Sequence, residues 1–185
     1  MTNFNLPNDV CDKILYSQEE IAQRCLEIGN RISEEYKGGE VTLISILNGS
    51  FMFMADVVKN ISVDCRIDFM QVSTYGASSE SSGKFVVKKG LSLDIEGKDV
   101  IIVEDIVDTG FTMVNLLDYL NQFKPNSIKL CTLIDKPHRR TKVVNADYIG
   151  FTMEDNEFIV GYGLDYAQRY RNLPYIGVLK EQIYS

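Results

Sequence analysis

Residues 100–112 read VIIVEDIVDTGFT, and the architecture follows from this stretch. Val100 to Val103 are four apolar residues in a row, the pattern of a strand buried on both faces, and a strand is expected over 99–103. The apolar run gives way to Glu104 and Asp105. A short loop with Asp108, Thr109, Gly110 and Thr112 follows. The pattern over 112–123 then predicts a helix, which Pro125 stops. Strand, acidic end, loop and helix in that order point to an α/β fold. Its core is an open, mostly parallel sheet with helices on both faces. Ligands of such sheets bind at the carboxyl ends of the strands.

The flanking sequence repeats the alternation. Ser17 followed three residues later by Glu20 is a capping-box signal, and a helix is expected over 12–36, ended by Gly38-Gly39. Strands are expected over 41–47, 66–75, 85–91, 128–134, 148–151, 158–162 and 175–179, with a helix after the Asn48-Gly49 turn. Residues 76–84, GASSESSGK, are small and polar and have no means of burying themselves, so a mobile loop is expected there. No linker divides the chain. Residues 1–185 are read as one domain, with a small hood formed from the chain ends, mainly 151–185.

Composition excludes several classes. The 185 residues are 45% hydrophobic and 24% charged, which rules out a disordered or collagen-like chain. The charge sum is 19 − 26 = −7, which argues against nucleic acid and anionic membrane as partners. No apolar run nears the roughly 18 residues that span a bilayer, and MTNFNLPNDV does not read as a secretory signal. Cys11, Cys25, Cys65 and Cys131 are scattered, with no C-x-x-C pair to suggest zinc. They read as reduced thiols of a cytoplasmic protein. His138, the only histidine, sits in a basic run without an evident orienting carboxylate, which weakens a Ser-His-Asp or Cys-His reading.

The chemistry therefore returns to the loop after the acidic strand end. Backbone N–H groups at a helix N-terminus suit a phosphate, Gly110 permits close approach, and Thr109 and Thr112 add hydroxyl donors. Glu104 and Asp105 are placed to accept from a sugar diol or to hold hydrated Mg²⁺. Phosphate donors beside diol acceptors describe a site for a ribose phosphate. No Walker A loop and no G-x-G-x-x-G is present, so triphosphate and dinucleotide readings lose their main support.

The string VIIVEDIVDTGFT resembles the phosphoribosyl-pyrophosphate motif of the type I phosphoribosyltransferases. LNGSFMFMADV at 47–57, STYG at 73–76, LIDKP at 133–137 and FIVGYGLDYAQRYRNLPYIGVL at 158–179 resemble, in the same order, segments of the hypoxanthine-(guanine) branch. The resemblance implies an enzyme of purine salvage. Phosphoribose would pass from phosphoribosyl pyrophosphate to hypoxanthine, and to guanine, with Mg²⁺. IMP or GMP would form and pyrophosphate would leave.

Residue by residue, the resemblance implies that Asp108, Thr109, Gly110 and Thr112 hold the 5′-phosphate. Glu104 and Asp105 would contact the ribose hydroxyls and metal. Asp108 would be the general base toward the purine N7. Lys136 would donate to the 6-oxo group, Phe158 would stack on the purine, and the Ile159 backbone would bond its edge. Asp165 would lie by the purine and bind a metal ion that also touches pyrophosphate, and Arg171 would hold pyrophosphate. Asn48 and Gly49 match the pyrophosphate loop, although Asn48 stands where the family commonly has Lys or Arg. Members often carry a cis peptide there. Thr74 and Tyr75 would open a lid over 76–84. A homodimer or homotetramer is implied. Xanthine or guanine preference, an RNA-binding regulator on the same fold, and a signalling receiver domain are the rival readings. The last two suffer from the acidic charge and from the mid-chain position of the acids.

Overall fold

The computed structural model describes residues 10–75 and 84–185. The expected mobile loop therefore lies, except for Lys84, outside the described residues. The order of elements is β1 (Cys11–Tyr16), α1 (Gln18–Glu35), β2 (Glu40–Leu47), α2 (Phe51–Val58), β3 (Asp64–Tyr75), β4 (Lys84–Lys89) and β5 (Asp99–Val107). Then come α3 (Phe111–Asn121), β6 (Ser127–Asp135), β7 (Tyr148–Thr152), β8 (Ile159–Val160), β9 (Ile176–Leu179) and α4 (Glu181–Tyr184).

Among the described residues, six strands form one sheet in the order β4-β3-β2-β5-β6-β7, parallel throughout except for β4, which runs against β3. The α/β expectation holds. Side chains alternate across the central strands, as strand geometry requires. Val41 and Leu43 of β2, with Ile101 and Val103 of β5, join the cluster that carries α1 and α2. Ile44 and Ile46, with Val100 and Ile102, join the cluster that carries α3. Both faces are covered, which is why these strands read as unbroken apolar runs.

Chain order reverses between β2 and β5: the connection from β2 leads outward to β3, and that from β5 leads outward to β6 and β7. A crevice opens at the carboxyl ends of the strands at such a switch point. The loops at Asn48 and Asp108 flank it. A second sheet, β1-β9-β8, is antiparallel and joins the first described strand to the last.

Three expectations need correction. The helix predicted over 12–36 begins only at Gln18, where Ser17 and Glu20 form a reciprocal capping box. Cys11–Tyr16 is a strand instead, because its backbone pairs with β9, a partner no local pattern reveals. The strand expected to end at Val103 continues to Val107, since Glu104 and Ile106 stay in register with Thr132 and Ile134 of β6. The strand expected over 158–162 shortens to Ile159–Val160, as Gly161 turns away with a φ of 101°.

Candidate active site

The turn between β5 and α3 is held from outside by residues 140–142. The Thr109 carbonyl accepts from the backbone N–H of Thr141 and of Lys142, both at 3.0 Å. Arg140 donates from Nη1 to the Asp108 carbonyl at 2.7 Å and from Nη2 to the Asp135 carboxylate. Gly110 caps α3 in the left-handed region, φ 82°, and a Cβ there would lie 2.8 Å from the Lys142 carbonyl. Only glycine fits both demands. The result is a helix start whose first-turn N–H groups face a hollow of about 300 Å³. Glu104, Asp108, Thr109, Gly110 and Thr112 line it.

Glu104 and Asp105 lie within the last turns of β5 and are half-buried. Glu104 Oε2 is enclosed and has no partner. Burial, and then the charge of Asp105, hold the Glu104 carboxyl well above the usual carboxylate range. Burial also raises Asp105, against the pull of its bonds from Glu104 and the Ile106 N–H and of the nearby Arg171 charge. Two adjacent enclosed acids are costly unless a cation or hydrogen-bond donors meet them.

The loop after β2 presses on this pair. The Leu47–Asn48 peptide is cis, and Asn48 Oδ1 accepts from Gln71 Nε2 at 3.5 Å. Gly49 lies so close that a Cβ would fall inside the Asp105 carboxylate. On its other side, a Cβ on Gly163, φ 97°, would collide with the Gly49 carbonyl. The segment around Gly163 brings Arg171, which donates to the Gly163 carbonyl at 2.7 Å, to Asp165 Oδ1 at 2.8 Å and to Gln168 Oε1 at 3.0 Å. Asp165 Oδ2 accepts from the Gln168 N–H at 2.8 Å.

At the other margin, Asp108 Oδ1 accepts from Arg139 Nε at 2.5 Å. Lys136 is buried, and its ammonium donates to the Glu157 carbonyl at 3.0 Å, next to Phe158. Burial lowers its pKa below the usual lysine value, with Asp108 opposing. Phe158 is 39% exposed, while Ile159 is buried in β8. Thr74 and Tyr75 close β3, opposite Phe85 and Lys84.

The structure thus gathers Glu104, Asp105, Asp108, Thr109, Gly110, Thr112, Gly49 and Arg171 around one crevice, with Lys136 and Phe158 beside it. Asp165 is engaged by Arg171 rather than aimed freely at the acids. Among the described residues, no group of three or more His, Cys, Asp or Glu side chains is arranged as a metal site. Sequence reasoning missed Arg139 and Arg140. Both are submerged in a basic run, and neither has a local signature. A larger hollow of about 710 Å³ between α1, α2 and Tyr162 includes none of the crevice residues.

A family model described as phosphoribosyl transferase domain matches residues 13–167. The bifunctional protein TilS/HprT of Listeria innocua is 46% identical over 99% of this chain, which spans only 28% of that relative's length. The hypoxanthine-guanine phosphoribosyltransferase of Streptococcus agalactiae is 47% identical over 97% of this chain and 99% of its own. The solved hypoxanthine phosphoribosyltransferase of Staphylococcus aureus superposes with a TM-score of 0.91 at 44% identity, covering 95% of each chain.

Proposed function

This chain belongs to the phosphoribosyl transferase family, and on that premise we propose that it transfers phosphoribose from phosphoribosyl pyrophosphate to hypoxanthine and guanine. One observation carries the reading: an open helix start at Gly110 and an enclosed, under-satisfied acid pair share a crevice with a buried lysine and a half-exposed aromatic ring. A 5′-phosphate fits the first, a ribose diol the second and a 6-oxopurine the third.

The 5′-phosphate sits on the N–H groups and hydroxyls of Asp108 to Thr112. Glu104 and Asp105 accept from the ribose 2′- and 3′-hydroxyls. Lys136 donates to the purine O6, Phe158 stacks on the ring, and the Ile159 backbone bonds its edge. Bond formation from the purine nitrogen to the sugar C1 breaks the bond to pyrophosphate. Asp108 takes the proton that the purine gives up at N7. The β1-β9-β8 sheet is the hood over the base.

The acid pair also fits Mg²⁺, which is usually held by one or two carboxylates together with substrate phosphates. When bound, the ion offsets the charge of the departing pyrophosphate. Asp165 would join in holding the ion if Arg171, now paired with it, turned to the pyrophosphate oxygens, where a guanidinium fork suits a bidentate hold. Asn48 offers an amide where a cation would add charge. The four cysteines, none of them in a disulfide among the described residues, fit a reducing cytoplasm. The unit is a homodimer or homotetramer, to which Phe51, 43% exposed at the start of α2, offers apolar surface.

Incubation with phosphoribosyl pyrophosphate, Mg²⁺ and each of hypoxanthine, guanine, xanthine and adenine tests the reading. Nucleotide is expected from hypoxanthine and guanine. Product from none of the four would overturn it.

The acid pair yields a separate expectation. Glu104→Gln should raise the thermal midpoint of the free protein by several degrees at neutral pH, since a neutral amide carries no charge to desolvate beside Asp105 and can donate to it, and each kcal/mol moves the midpoint by roughly 2–4 °C. It should also raise the KM for phosphoribosyl pyrophosphate. The unfolded chain releases the Glu104 proton near pH 4.5, and the folded chain holds it to higher pH. The wild type therefore loses stability as pH rises above that value, so the gain from Glu104→Gln should widen with pH. Melting curves between pH 4.5 and 8 read this directly, and a gain that stayed constant would count against it.

A further inference from the structure

Phe158 is not a lone ring. Tyr184, in the last turn of α4, stacks on one face of it, with centroids 5.1 Å apart and planes at 25°. Tyr166 meets its edge at 5.7 Å and 88°, and Tyr166 and Tyr184 touch at 6.4 Å. The backbone builds this cluster deliberately close. The Phe158 carbonyl accepts from the Leu179 N–H at 2.8 Å, and the Lys180 N–H donates to the Val10 carbonyl at 3.0 Å. Ile183 packs against the cluster formed by Cys11, Val160, Leu173 and Leu179. The residue before Tyr184 is thus pinned beneath the small sheet, which aims Tyr184 at Phe158.

We propose that Tyr184 is a positioning residue for the purine. It backs the Phe158 ring and fixes the plane on which the base stacks, and this rests on the assignment of Phe158 to the purine. Phe158 stands at the head of a strand of only two residues, and its ring is well exposed. Without Tyr184 the ring would be free to sample other rotamers, and each purine that bound would have to immobilise it. With one face covered and one edge met by Tyr166, the other face is left for the base in a fixed orientation. Tyr166 adjoins Asp165, the partner of Arg171, so the same three rings tie the purine wall to the pyrophosphate side of the crevice.

The contact is ring on ring, so the ring and not the hydroxyl should matter. Tyr184→Ala should raise the KM for hypoxanthine, and the Kd for IMP in calorimetry, roughly 3- to 10-fold, the size of one aromatic pair. The KM for phosphoribosyl pyrophosphate should stay where it is. Tyr184→Phe should restore the wild-type values, a rescue that a general loss of stability would not show. An unchanged purine KM in Tyr184→Ala, or an equal rise in both KM values, would overturn the role. So would a lowered purine KM, which would mean that Tyr184 competes with the base. Phe158→Leu separates the two levels. If it raises the purine KM while Tyr184→Ala does not, only the Tyr184 role fails. If it leaves the purine KM unchanged, the assignment of Phe158 itself is wrong.

Discussion

Asp108→Asn should lower kcat by roughly 10²–10⁴, the span that a placed general base contributes. Binding of the ribose phosphate should change little. The separation follows from how the turn is built. The Asp108 main chain is held by Arg140 through its carbonyl, and the neighbouring Thr109 carbonyl is held by Thr141 and Lys142. The Asp108 side chain takes no part in those contacts and reaches Arg139 instead. Asparagine keeps the shape and can accept from Arg139, but cannot take the N7 proton. Single-turnover rates measured beside equilibrium binding of phosphoribosyl pyrophosphate would read both halves. A kcat within about twofold of wild type would remove Asp108 from the role of base.

The second large effect concerns the base that is refused. Adenine presents an amino group where hypoxanthine presents O6, so a buried ammonium would face another donor. A site built to pair a polar group can reject the mismatched one by about 10⁴–10⁵ in kcat/KM. Lys136→Gln should collapse much of that ratio, because an amide can turn to offer either a donor or an acceptor. Hypoxanthine should lose more than adenine gains. Burial lowers the Lys136 pKa from the usual 10.5, so its charge is lost earlier on the alkaline side than an exposed lysine's would be. The KM for hypoxanthine should accordingly climb as pH rises toward that lowered value, and the climb should vanish in Lys136→Gln. Parallel kcat/KM profiles for the two bases from neutral to alkaline pH would check this. A wild-type ratio unaffected by the substitution would separate Lys136 from specificity.

What could be read without coordinates was local. Ser17 and Glu20 carry the start of α1 in their own side chains. The unbroken apolar runs of β2 and β5 announce burial on both faces. The residues just ahead of Ser17 were misread because Ile14 and its neighbours suit a helix as well as a strand, and only pairing with β9 decides between them. Polarity misled at Glu104 and Asp105, where a parallel strand carries its acids into the crevice instead of ending before them. The clamp of Arg140 on Asp108 and Asp135, and the stack of Tyr184 on Phe158, join segments far apart in the chain. Pattern has no purchase on either.

The pairing of β1 with β9 also orders events during synthesis. The crevice loops after β2 and β5, with α3 and the 140–142 clamp, leave the ribosome while the last strand is still unmade. Contacts of such wide sequence separation are closed late and at greater entropic cost. A nascent chain can therefore shape the turn between β5 and α3 early, whereas the edge of β1 stays unpaired until Ile176–Leu179 arrives. An open strand edge is a template for association with other chains. The time between the emergence of β1 and that of β9 is an interval in which this open edge is exposed to misassembly.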